Sequence, residues 1–477
     1  MHGGDKGVVM TQPYTGTTLR PGEPGYDDAR RVFNGLIDRR PERILRPTTD
    51  EEVASAVRSA VDAGSLVSVY GGGHGVTGAA VVDGGVCIDL RLMDDVEVRP
   101  DERRLRVGGG ATWGKVDATT QDHGLAVTGG RMSTTGVAGL TLGSGSGWLE
   151  RRCGLTCDSL LEARVVAADG QVVTASRDEN PDLFWALRGG GGNFGVVTEF
   201  TFGLHEVGPT VLGGMLLYPG HLAREVIEFW RDFVADAPDE LGSGVSLMTA
   251  PPADFVPAPA RGKPAVGVVL CWSGSLDEGT RLLAPMQAFG PPAVDLVQPM
   301  PYTAVQQLID AGNPSGMHNY WSGDFLTGLP PEAIDALVSH AQPAPSPLTQ
   351  NILIHLGGAL ARVDEEETAF GQRHAPFNLH YLTMWPPDHA EDQRNVDYTR
   401  TLVAAMRPWA TGNSYLNFIG DEGLTKVEAA FGREKFARLQ GIKDRWDPTN
   451  VFRHNQNIPP SRETGRKPVT PTPVTAG

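Results

Sequence analysis

Three glycine-rich loops, 71–78, 129–147 and 189–195, each adjoin strand-like sequence. Successive backbone N–H groups without side chains form anion nests that suit a pyrophosphate. One such loop reads equally well as a turn; three together point to a nucleotide-type cofactor. His74 stands inside the first loop, in Gly71-Gly72-Gly73-His74-Gly75, directly after a strand. An imidazole in a glycine cradle has few neighbours to pack on, so contact with the cofactor is the expectation. Two common phosphate sites are excluded. GGGGNFG (189–195) can be laid on G-x-G-x-x-G, but helix-like DLFWAL precedes it and strand-like VVTEFTF follows. That order is the reverse of a Rossmann turn. No G-x-x-x-x-G-K-[ST] occurs, so there is no P-loop.

The elements that must hold these loops are legible in part. RPTTDEEVASAVRSAVDAGS predicts a helix: Thr48 and Glu51 fit a capping box, Val53, Val57 and Val61 lie four apart, and Gly64 sits at the C-cap. SLVSVY (65–70) is a strand feeding the first loop, and GVCIDL (85–90) a second strand. Hairpins are expected around Pro100–Glu102 and Asp169-Gly170. TWGKVDATTQDHG predicts a helix closed by Gly124. Residues 130–149 are too glycine-rich for regular structure throughout. DLFWAL predicts a short helix, with a strand after the third loop.

Past residue 207 the glycine runs stop and proline pairs appear, at Pro251-Pro252, Pro291-Pro292 and Pro330-Pro331. The chain therefore divides into an irregular N-terminal segment (1–40), a cofactor domain (41–207), a substrate domain (208–414), a C-terminal return (415–460) and a Pro/Thr/Lys-rich tail (461–477) expected to be disordered. A length of 477 residues exceeds one compact core, which agrees with more than one domain.

The net charge of −16 repels phosphate backbones and anionic membranes, so neither nucleic acid nor a membrane is an expected partner. No stretch approaches the apolar length of a membrane span. The start, MHGGDKGVVMTQPYTG, lacks the apolar segment of a signal peptide, and four cysteines are sparse for a secreted framework, so the cytoplasm is the expected location. Cys153 and Cys157 have no further His or Cys nearby, and no metal site is expected.

These blocks together resemble the bacterial branch of the berberine-bridge-enzyme-like FAD-linked oxidases, which share the vanillyl-alcohol-oxidase (PCMH) type of FAD domain. The resemblance runs through RPTTDEEV (46–53), GGGHGVTG, STTGVAGLTLGSGSGWLERRCGLTCDSL (133–160) and NPDLFWALRGGGGNFGVVTEF (180–200). It resumes at YLNFIGDEG (415–423) and closes on WDPTNVFRHNQNIPP (446–460). It is weaker over 208–370. It implies an α+β fold, with a two-lobed FAD domain and a substrate domain of antiparallel sheet covered by helices. It implies FAD bound covalently through His74. The cysteine that forms a second link in many plant relatives falls on Met132, so a single link is expected.

The resemblance also implies a flavin-contacting set. Around His74 these are Tyr70, Gly71, Gly72, Gly73, Gly75 and Gly78. The second block supplies Gly130, Ser133, Thr134, Thr135, Gly136, Gly139, Leu140 and Gly143, followed by Gly145, Trp148 and Asp158. Gly195 and Val197 follow the third loop, and Tyr415, Asn417, Asn455 and Asn457 come from the C-terminal blocks. Thr135 matches the position governing oxygen access; the alternative is that it caps its loop. Where relatives carry a tyrosine base, this chain has Phe418, which cannot take a proton. Others use a carboxylate on the strand matching FNLHYLTMW (377–385), where His380 stands.

In a strand Asn378, His380 and Leu382 share one face. His380 is then a candidate general base, since imidazole titrates near neutrality. Tyr415 is the runner-up. The implied chemistry is two-electron oxidation of a small organic molecule, a secondary metabolite by the resemblance, with oxygen as acceptor and hydrogen peroxide as product. A flavin-dependent oxygenase and a non-catalytic metabolite-sequestering flavoprotein remain the alternatives.

Overall fold

A computed structural model describes residues 14–420 and 423–462. The segment read against a signal peptide lies mostly outside the described residues, as do Asp421 and Glu422 and nearly all of the tail expected to be disordered.

The first sheet grows around Val86–Asp89, which is buried along its whole length. Arg43–Arg46 and Val67–Tyr70 flank it in parallel, and Thr17–Leu19 adds an antiparallel edge. A parallel pair needs a crossover, and the helix Asp50–Asp62 supplies it. Its start lies one residue later than the sequence suggests. Thr49, in extended conformation, is the N-cap and accepts from Glu52 N–H at 3.2 Å. The Glu52 carboxylate in turn accepts from the Thr48 N–H at 2.7 Å and the Thr48 hydroxyl at 3.0 Å. Gly64 follows the helix at φ 64°, as expected.

The second sheet is antiparallel, in the order Val96–Arg99, Arg104–Gly108, Val196–Gly203, Leu160–Val166, Val172–Ser176. Both expected hairpins are in it. The third sheet is antiparallel and much larger. Its order is Val294–Asp295, Thr210–Pro219, Pro264–Trp272, Leu241–Thr249, Gln350–His355, Phe377–Trp385, His318–Leu326, with Gln298–Pro301 paired to Thr210–Pro219. Helices Ala223–Ala235, Leu276–Ala288, Pro331–Ala341 and Asp392–Met406 cover one face through Trp230, Leu283, Ile334, Leu337 and Leu402. This is the helix-covered antiparallel sheet that the family resemblance implies.

Strand alternation decides what the other face carries. Phe377–Trp385 is buried at every residue. Phe377, Leu379 and Tyr381 join the helix-side core. The alternate residues Leu382 and Met384 join a separate apolar cluster with Phe33, Val76, Met132 and Trp321. The sheet thus turns a second apolar face toward the glycine loops.

The C-terminal return packs back on the first half of the chain. Helix Arg433–Trp446 sends Phe436, Leu439 and Ile442 into the core that holds Leu183, Phe184 and Leu187. At its end, Lys443 and Asp447 form an ion pair of 2.6 Å with both side chains fully buried. Lys443 Nζ also donates to the carbonyls of Asn193 (2.7 Å) and Phe452 (3.1 Å), and Asp447 accepts from the N–H groups of Val451 and Phe452. This pair ties the third glycine loop to the closing segment. Removing one partner leaves the other charge buried and uncompensated, which costs about 3–5 kcal/mol. Asp447→Ala is therefore expected to lose about that much stability in denaturant unfolding, whereas Glu434→Ala, exposed on the same helix, is expected to lose far less.

Candidate active site

The three glycine loops, the C-terminal return and the open face of the large sheet enclose one cavity, with an empty volume of about 1850 Å³ including open solvent at its mouth. The first two loops meet backbone to backbone. A Cβ on Gly72 would stand 2.4 Å from Gly136 Cα, and one on Gly136 would stand 2.5 Å from Gly72 N. Neither position admits a side chain. Around Gly75, Gly139 and Gly192, by contrast, a Cβ would meet nothing within 4 Å, and these glycines line the cavity. Asn455 Oδ1 and His380 Nε2 are buried with no hydrogen-bond partner among the described residues, and both residues line the same cavity. Bare backbone facing open space, with polar atoms left unpaired at its wall, fits a large polar cofactor such as FAD.

His74 lines this cavity. Its Nε2 shares a hydrogen bond of 3.0 Å with the Thr134 hydroxyl. Contrary to expectation it does not lack a packing neighbour: its ring stacks on Phe33 at 4.1 Å and 19°. Burial lowers its pKa to about 4, so the ring is neutral near pH 7. Phe33 is held in turn through Asn34, whose amide donates to the carbonyls of Val76 (2.8 Å) and Asn319 (3.0 Å).

On the sheet side His380 lines the cavity between two aromatic rings. Phe418 stacks on it at 3.8 Å and 5°, and Trp321 meets it edge-on at 5.1 Å. Burial, with the Arg131 charge adding to it, pushes its pKa down to about 3. The near-neutral titration expected from the sequence is thereby corrected: this imidazole is neutral at any working pH. Asn378 points to the same side of the strand but is not at the cavity wall; its amide donates to the Asp324 carbonyl at 3.2 Å. Tyr415 lines the cavity, yet its hydroxyl oxygen accepts from Ser146 N–H (2.8 Å) and the Asn417 amide (3.2 Å), and burial raises its pKa to about 12. A phenol so engaged and so weakly acidic is a poor candidate for a base. Its ring instead braces Phe418 at 4.6 Å.

Of the other residues expected at the cofactor, Gly71, Gly72, Gly73, Gly130, Thr135 and Gly136 line the cavity, as do Leu140, Gly143, Gly195, Val197 and Asn417. Several do not reach its wall, most of them because they are engaged elsewhere. The Tyr70 hydroxyl donates to the Arg31 carbonyl at 2.6 Å. Gly78 and Gly145 sit at φ 66° and 82° against Ile37 and Thr156. Ser133 bonds the Asp310 carboxylate through its N–H (3.0 Å) and hydroxyl (2.5 Å), and Thr134 bonds His74. Trp148 lies under the Arg131 guanidinium at 4.7 Å. Asp158 is paired to the fully buried Arg373 at 2.7 Å. Asn457, within the closing segment, is not at the wall, and its Oδ1 is buried without a hydrogen-bond partner among the described residues.

The sequence reading missed Arg131, Phe33 and Trp321. Arg131 lines the cavity and is neutralised there: Glu150 (2.8 Å), Ser146 (2.9 Å) and the Gly147 carbonyl (3.1 Å) take its guanidinium protons. A lone charge inside a glycine-serine loop was its only signal. All four cysteines are free and buried. Among the described residues His318, His389 and Asp392 bring potential metal-ligand atoms within 4.8 Å of one another. None of them lines the cavity, and Asp392 already accepts from both rings at 2.8 Å and from Trp385 Nε1. Among the described residues no helix is long and apolar enough to cross a membrane.

Comparison with known proteins agrees with this geometry. Residues 41–176 match the model of an FAD binding domain, and residues 414–459 match the berberine and berberine-like model. The chain is 30% identical to (R)-6-hydroxynicotine oxidase of Paenarthrobacter nicotinovorans, over 93% of this chain and 97% of that protein. The crystal structure of 6-hydroxy-D-nicotine oxidase from Arthrobacter nicotinovorans superposes with a TM-score of 0.84 at 28% identity, covering 94% of this chain and 99% of that one. Glucooligosaccharide oxidase from Acremonium strictum, whose FAD carries 6-S-cysteinyl and 8α-N1-histidyl links, superposes with a TM-score of 0.82 at 25% identity, covering 93% and 97%.

The loop contact makes a direct prediction. Gly136→Ala is expected to force the 71–78 and 129–147 loops apart, and the purified protein should hold far less flavin per chain than the wild type by absorbance. Gly441→Ala, in an exposed helix position where a Cβ meets nothing within 4 Å, should keep a full flavin complement.

Proposed function

We propose that this chain, which belongs to the berberine-bridge-type FAD-linked oxidoreductases, is an oxidase: two electrons leave a small organic substrate, molecular oxygen takes them, and hydrogen peroxide is the product. The observation that carries this reading is a single cavity lined by His74, Thr135 and His380 together. The chemistry supplied by bound FAD is acceptance of two electrons from a substrate carbon and their return to oxygen.

The chain's own residues set the rest. His74 is the single covalent anchor: Thr134 engages its Nε2, which leaves Nδ1 for the bond. Met132, at the second linking position, is a thioether without an exchangeable proton, and it packs in the apolar cluster with Trp321 and Leu382. The glycines of the three loops and Asn455 hold the cofactor's polar groups. Thr135, small and at the cavity wall, leaves a path for oxygen.

His380 presents a neutral ring to the cavity, and its buried Nε2 has no protein partner among the described residues. It orients the substrate's O–H or N–H and takes that proton as the neighbouring C–H bond breaks. Its low basicity limits its share of the rate, so the lower part of the range for general-base help, about 10²-fold, is expected. Phe418 and Trp321 fix its ring and exclude water. Tyr415 stays protonated and positions Phe418.

Anaerobic mixing with substrate should bleach the flavin, and readmitted oxygen should restore it with one peroxide per substrate oxidised. Oxygen appearing in the product would mark an oxygenase, and a ligand that binds without bleaching would mark a sequestering protein. His380→Ala should slow bleaching by about 10²-fold, while Tyr415→Phe keeps most of it. The His380 base is present above its pKa of about 3 and is lost only as pH falls through that value. The wild-type bleaching rate should therefore show no ionisation from this group between about pH 5 and about pH 9. A histidine-like rise near neutrality would contradict the assignment.

A further inference from the structure

An unbroken line of rings connects the proposed anchoring histidine to the proposed base, and all of them but Phe33 line the cavity. His74 stacks on Phe33 at 4.1 Å, Phe33 meets Trp321 at 5.8 Å, Trp321 meets His380 at 5.1 Å, and His380 stacks on Phe418 at 3.8 Å. The wall around these rings is aliphatic: Val76, Met132, Ile309, Ile352, Ile354 and Leu382 line the same cavity. Strand pairing puts Ile352 directly beside His380 and Trp321 beside Leu382.

The polar groups at this end are few and mostly spent. Arg131 is held by Glu150, Ser146 and the Gly147 carbonyl. The Glu150 carboxylate is occupied by Arg131, the Ser146 hydroxyl and Gly147 N–H. Tyr415 is held by Ser146 N–H and Asn417. What remains without a protein partner among the described residues is the neutral His380 ring, whose Nε2 is buried, and the Nε–H of Arg131, buried likewise.

We infer that the substrate is a flat, uncharged, largely apolar molecule, aromatic or polycyclic, that presents a single hydrogen-bond donor to His380 next to the carbon oxidised. The inference rests on the oxidase reading for what happens at that carbon, and on the wall alone for the class of molecule. Flat faces gain from the ring line by stacking and from the aliphatic residues by burial. A carbohydrate would bring several hydroxyls to a surface with few unpaired polar groups, and each buried hydroxyl left unpaired is penalised. A carboxylate would meet a guanidinium already neutralised by Glu150. The wall therefore selects against the oligosaccharide class and against anions.

The test is binding to oxidised holoenzyme, followed by perturbation of the flavin absorption. The probes are 2-naphthol, a flat donor with no oxidisable C–H; 2-methoxynaphthalene, which lacks the donor; 2-naphthoate; and cellobiose. 2-Naphthol should bind saturably, with cellobiose and 2-naphthoate weaker by on the order of 100-fold or more. His380→Leu should weaken 2-naphthol by about 10-fold and leave 2-methoxynaphthalene nearly unchanged. Trp321→Leu should weaken both, by about 5-fold. Saturable binding of cellobiose or 2-naphthoate as tight as that of 2-naphthol would overturn the inference, as would wild-type protein that 2-naphthol does not perturb. The measurement involves no turnover. Failure to produce peroxide with any substrate sinks the oxidase reading and leaves the binding result standing; peroxide from an oligosaccharide sinks this inference alone.

Discussion

The backbone of Gly72 lies against that of Gly136 with no room for a Cβ on either, and the arrangement of the site depends on that contact. It sets the loop bearing His74 beside the loop bearing Thr134 and Thr135, so the His74 ring and its hydroxyl partner come from two separate loops. Side chains at the interface would force the loops apart and disturb the His74–Thr134 hydrogen bond of 3.0 Å. Glycine acts here through the side chain it lacks and not through backbone freedom; neither residue has a positive φ.

A second constraint comes from the sheet. Phe377–Trp385 is buried on both faces, so its side chains are divided strictly between the helix layer and the cavity. That division delivers His380 to the wall and removes it from water in the same step. Burial is why the ring is neutral and why its pKa falls to about 3. The C-terminal return completes the wall with Phe418, and it is itself held by the buried Lys443–Asp447 pair and the Asn193 contacts. Distant parts of the chain therefore meet at the reacting end: the N-terminal Phe33, the loop residue Met132, the strand residues Trp321 and His380, and Phe418 near the C-terminus.

Much of the framework was legible because local physics writes it. The glycine loops, the crossover helix and both hairpins follow from caps, turns and periodicity, whereas the helix-covered antiparallel sheet was implied by the family resemblance. The one-residue shift of the N-cap from Thr48 to Thr49 reflects two adjacent threonines, either of which can cap by composition. What the sequence could not show is how a motif residue is spent. Gly78, Gly145 and Asp158 stand in the cofactor blocks but serve packing against Ile37, Thr156 and Arg373. Phe33 and Trp321 were invisible because they meet His74, His380 and each other only through the tertiary fold. The titration of His380 was misjudged because a reference pKa contains no environment, and Tyr415 kept its place as a candidate base only until its hydrogen bonds were known.

The claim on which the account turns is that the paired glycine loops hold His74 as the one covalent anchor of the flavin. Mass spectrometry of proteolytic peptides from acid-precipitated protein tests it most directly. The account predicts a yellow pellet, with one FAD mass on the peptide containing His74 and none on the peptides containing Met132, Cys153 or Cys157. Flavin released into the acid supernatant, or an FAD mass on any other residue, would contradict it.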